Sequence, residues 1–144
     1  MKITCILILT FAIFYGDPIQ MLQGKWKLES FGAFSAVLDS KNFTSGTEEE
    51  KAKLIEVMDF ALNNTFYEFK GDTIFITEGV IDKVEKREVI FTINDDKMSI
   101  FYLDQIKTTD YRLIEVSDSK LVLDMVYNRN SNSDMSAVFR KIDP

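Results

Sequence analysis

Polar and apolar residues alternate with a period of two over most of the chain beyond residue 65, and this pattern predicts β-strands with one buried face. Short polar turns rich in Gly, Asp, Asn and Ser separate the apolar runs. The predicted strands span 65–70, 73–78, 84–93, 97–103, 109–116, 120–127 and 134–142. Near the start of the chain, Trp26 and Leu28 alternate with Lys25 and Lys27, which predicts one further strand.

Short connections between eight strands imply that consecutive strands are antiparallel neighbours. A twisted sheet of this kind loses its unpaired edges when it closes on itself. The sequence therefore predicts an all-β fold, an eight-stranded antiparallel up-and-down barrel, with room inside for side chains or one small ligand. The side chains predicted to point inward are Trp26, Leu28, Tyr67, Phe69, Val89, Phe91, Ile93, Leu121, Leu123 and Met125.

One helix is predicted between the first and second strands. Thr47 and Glu50 have the spacing of a capping box, and three acidic residues in the first turn suit the helix dipole. The helix should end near Asn63, with one apolar stripe formed by Leu54, Ile55, Val57, Met58, Ala61 and Leu62. Phe60 falls beside this stripe, either at the edge of the same contact or facing a ligand portal. Residues 31–46 show no clear period.

The first residues differ from the rest of the chain. Residues 3–15 are almost entirely apolar and follow a single positive charge at Lys2. This pattern predicts a signal peptide over residues 1–16, with the barrel domain over 17–144 and a periplasmic or extracellular location; a buried N-terminal strand or helix is the alternative. The stretch is too short to span a bilayer as a helix, so no membrane insertion is expected after cleavage. Cys5 would leave with the peptide.

Composition excludes several classes of function. The net charge of -6 disfavours nucleic acid, which is bound by clustered Lys and Arg. The chain has no histidine, which removes the commonest general base and imidazole-ligated metal sites. No phosphate-binding loop or nucleotide signature occurs. We therefore expect no enzyme activity, no cofactor and no metal.

A few acidic residues leave an alternative open. Glu68 and Asp124 each interrupt an apolar strand, and either could point outward or bind a polar ligand group inside the barrel. Asn and Asp recur at every second position from 128 to 134, but the central Gly and terminal Glu of a calcium loop are absent. A polar hairpin is the preferred interpretation of that segment.

The stretch Leu22-Gln23-Gly24-Lys25-Trp26-Lys27-Leu28 resembles the opening of the lipocalin and fatty-acid-binding superfamily, whose signature is Gly-x-Trp on the first strand. More specifically, the chain resembles the small lipocalin-like domains of exported bacterial proteins. Residues 64–69, 111–123 and 138–141 fit the same comparison. It departs from transport lipocalins because it lacks their long C-terminal helix and usual disulfide, so no familiar ligand carries over.

The resemblance implies a structural role for Gly24, Trp26 and Arg140 at one end of the barrel. In the family, a basic residue of the last strand packs over the signature Trp. Arg140 is the matching residue here, and Lys141 would take this role if the register differed by one. A cation on an indole face is a favourable contact.

The resemblance also implies a ligand inside the barrel. We expect an exported protein that binds one small, mostly apolar molecule, with Phe31, Phe34, Val37 and Leu38 forming a lid together with the helix. The predicted ligand-contacting residues are Trp26, Leu28, Phe34, Leu38, Tyr67, Phe69, Phe91, Leu123 and Met125. The alternative is a protein-interaction module, an envelope accessory factor or an acidic inhibitor of a basic partner, whose barrel is filled by its own side chains. The oligomeric state is not predicted.

Overall fold

The computed structural model describes residues 16–126 and 135–143. The elements, in chain order, are α1 (Pro18–Leu22), β1 (Gly24–Phe31), α2 (Gly32–Leu38), α3 (Lys41–Thr44), α4 (Glu48–Asn64), β2 (Phe66–Lys70), β3 (Thr73–Val80), β4 (Lys83–Asn94), β5 (Lys97–Tyr102), β6 (Lys107–Val116), β7 (Lys120–Met125) and β8 (Ser136–Asp143). All eight predicted strands are present. The signal peptide, except for Gly16, and the whole polar segment considered for calcium lie outside the described residues.

Every strand pairs antiparallel with its neighbours in sequence, and β1 also pairs with β8, so the sheet is a closed barrel. The predicted fold class is therefore confirmed. In the register of the ring, Trp26 lies opposite Tyr67 of β2 and opposite Lys141 of β8. Closure leaves no free strand edge within this ring.

Alternate side chains of the eight strands form a single core, as the period of two predicts. Of the side chains predicted to point inward, all but Ile93 and Met125 are buried, and those two pack against the core. Ile74, Ile76, Met98 and Ile100 complete its middle layers and are 0–1% exposed.

Helix α4 begins at the predicted capping box. The Thr47 hydroxyl accepts from the Glu50 amide at 3.2 Å, and the Glu50 carboxylate accepts from the Thr47 amide at 2.8 Å. The helix crosses β3 at Gly79, where an added Cβ would lie 2.8 Å from the Phe60 carbonyl oxygen. A glycine at this position therefore lets the helix approach the sheet closely. Ile55 departs from the predicted apolar stripe because it faces solvent.

Short helix α1 closes one end of the barrel. Its Leu22 carbonyl accepts from the Trp26 Nε1–H at 2.7 Å, and both residues are fully buried. Gln23 holds the turn between β2 and β3 through hydrogen bonds to both backbone groups of Gly71. Gly24 has φ +110°, which a residue with a Cβ rarely adopts, and this explains the glycine of the Gly-x-Trp signature. We call this end the closed end.

The prediction for Arg140 is wrong, and Lys141 takes its place. Lys141 Nζ lies 5.1 Å from the centroid of the Trp26 ring and donates to the Met21 carbonyl at 3.4 Å. Arg140 is exposed and its Nε pairs with Glu29 at 2.7 Å on the outer surface. The cause is alternation: Phe139 is buried inside the barrel, so residue 141 shares its face and residue 140 does not.

Replacing Lys141 with Met should lower the free energy of unfolding by about 1 kcal/mol, because the cation over the buried indole is lost. Arg140→Met is the matched control, and it should cost less than about 0.5 kcal/mol because an exposed ion pair contributes little. Urea denaturation followed by Trp26 fluorescence measures both. Equal losses, or a larger loss for Arg140→Met, would contradict the assignment.

Candidate functional site

The opposite end of the barrel is not filled by side chains; we call it the open end. The turns that join β3 to β4 and β5 to β6 lie there, and helices α2 and α4 approach it from one side. The described residues form two cavities at this end, one lined mostly by apolar side chains and one lined mostly by residues with polar side chains, which we call the apolar and the polar cavity. They meet at Glu78, Tyr111 and Met125, which line both.

The apolar cavity has a volume of about 260 Å³ and lies under the helices. Phe34 of α2 and Ala61 of α4 form its outer wall, and Phe34 stacks edge-on against Phe31 with ring centroids 5.4 Å apart. The strands contribute mainly apolar side chains: Leu28, Tyr67, Val80, Met125, Ala137 and Phe139. Its size and lining are suited to an aliphatic or aromatic group of a small ligand.

The polar cavity is larger, at about 680 Å³, and opens toward solvent between β3 and β7. Arg87, Tyr102 and Lys107 line it together with the threonines at the start of β6. The two cavities thus give the open end an apolar side and a polar side. Such a division fits an amphipathic molecule better than a purely apolar one.

Three buried tyrosines form the floor between the two cavities. Tyr67, Tyr102 and Tyr111 come from β2, β5 and β6, and each is 7–9% exposed. The Tyr67 hydroxyl donates to Glu78 Oε1 across 3.5 Å, a long hydrogen bond. Tyr111 also interacts with the hydroxyls of Tyr67 and Tyr102. The floor is therefore apolar toward the core and carries hydroxyl groups toward the opening.

Burial raises the pKa of each of these three tyrosines, most strongly for Tyr67 and Tyr111. The negative charge of Glu78 raises the pKa of all three further. The hydroxyls therefore stay protonated and serve as hydrogen-bond donors at neutral pH.

A charged row on β4 borders the same opening. Glu85 accepts from Arg87 at 2.8 Å and from Lys83 at 2.9 Å. These hydrogen bonds hold the pKa of the Glu85 carboxyl below its usual value. Arg87 therefore already has an ion-pair partner, Glu85, on its own strand. Glu85 also lies directly opposite Glu78 in the β3–β4 register.

The predicted ligand-contacting residues divide into two groups. Leu28, Phe34, Tyr67 and Met125 line the apolar cavity. Trp26, Phe69, Phe91 and Leu123 point inward but are packed, at most 2% exposed, and do not line either cavity. Alternation predicts the inward face of a strand but not the depth along the barrel, so these four were wrongly placed.

Leu38 is a further correction, because it is 37% exposed near the end of α2 and lines neither cavity. Val37 is similarly exposed, so only the Phe31 and Phe34 part of the predicted lid covers the cavity. The sequence did not predict that the lid segment is helical, because α2 is only seven residues long and too short to show a period. Phe60 does not line the cavity either; Ala61 does.

The polar residues of the site were not predicted. Glu78, Arg87, Tyr102 and Tyr111 all occupy inward positions of their strands, and a signal existed for Glu78, which continues the inward series of Ile74 and Ile76. Glu68, which was considered as a ligand contact, instead faces outward and pairs with Lys70 at 2.8 Å. Asp124 is partly buried and lies opposite Arg112 and Ser136.

A crystal structure of a lipocalin-like protein from Bacteroides uniformis superposes on the barrel with a TM-score of 0.53 and 16% sequence identity, over 84% of this chain and 98% of that chain. This chain has a lipocalin-like fold. An uncharacterized protein from Bacteroides eggerthii aligns with a TM-score of 0.48 and 14% identity, over 83% of this chain and 98% of that one. No protein-family model and no curated protein matches the chain.

A metal site and a membrane-spanning helix are both absent from the described residues of this lipocalin-like barrel. Over 16–126 and 135–143, no three His, Cys, Asp or Glu residues are grouped so that they could hold a metal ion. Within the same ranges, no helix combines the length and the apolar character needed to cross a membrane.

The packed and open halves of the lipocalin-like barrel should respond differently to truncation. Phe69→Ala should lower the free energy of unfolding by about 3–5 kcal/mol, because Phe69 packs edge-on against Phe91 in the filled half. Phe34→Ala should cost only about 1–2 kcal/mol, because that ring already borders empty space. Urea denaturation of the two variants measures the difference. Similar losses would mean that the cavity side is packed as tightly as the core.

Alkaline titration should detect the tyrosine floor. Because the pKa values of Tyr67, Tyr102 and Tyr111 are raised in the folded state, the barrel keeps these phenols neutral and its stability is complete below about pH 10. Stability should fall as the pH rises above that value, since the unfolded chain then binds fewer protons. Phenolate absorbance should show Tyr67 and Tyr111 ionising only with unfolding. Ionisation of these two phenols near pH 10 in folded protein would refute the burial.

Proposed function

We propose that this lipocalin-like protein is exported and binds one small, mostly apolar molecule at the open end of its barrel. The observation that carries the proposal is the apolar cavity of about 260 Å³, walled by Phe34 and Ala61 and continuous with a polar floor. A concave apolar site with a few convergent polar groups is the usual form of a small-molecule site. The fold supports binding over catalysis, because lipocalin-like barrels typically bind molecules rather than convert them.

Export is the second part of the proposal and rests on the sequence alone. The charged start at Lys2 and the apolar run over residues 3–15 have the order of a secretory signal. An exported binding protein would meet its ligand in the periplasm or outside the cell. Mass spectrometry of the protein recovered from its host tests this part, since cleavage near Gly16 removes a defined mass.

A second candidate function, a protein-interaction module, is favoured by the turns around the open end. Leu103 and Ile106 in the β5–β6 turn are 69% and 98% exposed, and Ile81 in the β3–β4 turn is 65% exposed. Ile81 and Ile106 also have positive φ angles, which β-branched residues rarely adopt. Exposed apolar side chains of this kind suit contact with a partner. This candidate predicts no stoichiometric small ligand.

Filling the cavity should abolish binding. Ala61→Leu adds three carbon atoms to the cavity wall, whereas Ala52→Leu adds them to the exposed face of the same helix. A neutral fluorescent apolar probe, N-phenyl-1-naphthylamine, should bind the parent protein and Ala52→Leu equally and Ala61→Leu at least about tenfold more weakly. The α-helical circular dichroism of all three proteins provides the control for folding.

Native mass spectrometry after exposure to a lipid extract complements this measurement. One small adduct per chain that disappears on denaturation supports the binding proposal, and its mass begins to identify the ligand. If the probe does not bind, or binds Ala61→Leu as tightly as the parent protein, the cavity is not the site and the protein-interaction candidate becomes the better one.

A further inference from the structure

Glu78 is a carboxylate placed inside the barrel, at the junction of the two cavities. It follows Ile74 and Ile76 on the inward face of β3, and both of those side chains are buried. Its neighbours in space are the three buried tyrosines, whose hydroxyls all feel its charge. An acidic group at this depth needs hydrogen-bond partners to offset the loss of water.

The partners of Glu78 leave it with unused acceptor capacity. Its one side-chain hydrogen bond among the described residues comes from Tyr67 at 3.5 Å, and no Lys or Arg in that part of the chain pairs with it within 4.0 Å. A carboxylate has about four acceptor positions. The positions left over border the apolar cavity on one side and the polar cavity on the other.

The described cations of the opening are already engaged or lie at its rim. Arg87 binds Glu85 at 2.8 Å, and Lys83 binds the same carboxylate at 2.9 Å. Lys107 is exposed at the outer end of the polar cavity. Glu85 is shared by Arg87 and Lys83, and Arg87 also interacts electrostatically with Glu78. Among the described residues, Glu78 is the carboxylate of the deep part of the site that has no cation within 4.0 Å.

The surroundings of this charge also favour a cation. The hydroxyl oxygens of Tyr67, Tyr102 and Tyr111 can accept hydrogen bonds from a cationic donor, and Glu85 is the cross-strand neighbour of Glu78. The whole chain carries a net charge of -6, which attracts cations and repels anions at longer range. Among the described residues, an anionic end group in the deep part of the site would meet the Glu78 carboxylate, and the nearby Arg87 guanidinium already binds Glu85.

We propose that the ligand is an amphiphile whose polar end is a protonated amine, which binds the Glu78 carboxylate while its apolar part fills the cavity under Phe34 and Ala61. This inference rests on the proposed function and specifies its ligand class. The amine nitrogen donates to Glu78 at the tyrosine floor, where the tyrosine hydroxyl oxygens can accept its remaining hydrogens. The protein would thus distinguish amines from acids and alcohols that have the same apolar part.

Three ligands with the same tail test this proposal: decylamine, decanol and decanoate, each used below its aggregation concentration. Their affinities are measured by displacement of N-phenyl-1-naphthylamine at neutral pH and moderate salt. Decylamine should bind about tenfold or more tightly than decanol, because a charge-assisted hydrogen bond replaces a neutral one. Decanoate should be the weakest of the three.

Two variants identify the carboxylate responsible. Glu78→Gln keeps the size of the side chain and removes its charge, so it should abolish the preference for decylamine and leave the affinity for decanol nearly unchanged. Glu88→Gln is the matched control, because Glu88 is exposed on the outer face of β4 and lines neither cavity. It removes the same net charge and should preserve the preference.

The outcomes separate this inference from the proposed function. Tail-dependent binding without an amine preference, or a preference that persists in Glu78→Gln, overturns the amine assignment and leaves the cavity as a binding site. A preference lost equally in Glu88→Gln assigns it to net charge and also overturns the assignment. If neither the probe nor any ligand binds, the inference and the proposed function fail together.

Discussion

Hydrogen bonding between β1 and β8 closes the sheet into a ring, and this closure determines which side chains share the interior. An eight-stranded ring has an interior only wide enough for side chains or one small molecule. Each inward position therefore either fills that space or leaves it open. Trp26 pairs with Tyr67 on one side and with Lys141 on the other, and this register fixes how the inward side chains of β1, β2 and β8 align across the barrel.

The two ends of the barrel use this limited width in different ways. At the closed end, the Trp26 indole, the α1 backbone and Lys141 fill the ring and satisfy its polar groups internally. At the open end, the inward residues are tyrosines and charged side chains that keep hydrogen-bonding groups toward the opening, while α2 and α4 cover one side. A stable base thus supports a site whose lining contributes less to packing.

Much of the fold could be predicted because its signals are local. Strict alternation gave all eight strands to within a few residues, and the Thr47–Glu50 spacing gave the start of α4. Helices α1 to α3 are four to seven residues long, too short for a periodic signal. The site needed non-local information: Glu78, Tyr102 and Tyr111 come from three strands, and only the register across the barrel brings them together. Arg140 was assigned to the Trp26 contact, which Lys141 makes, although alternation through the buried Phe139 predicts that residue 141 points inward.

The central claim is that the open end is a cavity and the closed end is not. Methyl shift mapping by NMR, with N-phenyl-1-naphthylamine as the titrant, tests this claim most directly. The account predicts shifts for Leu28, Val80 and Met125, which line the apolar cavity, and none for Leu22 and Leu121 in the packed half. Shifts confined to exposed residues such as Leu103 and Ile106, or no shifts at all, would contradict it.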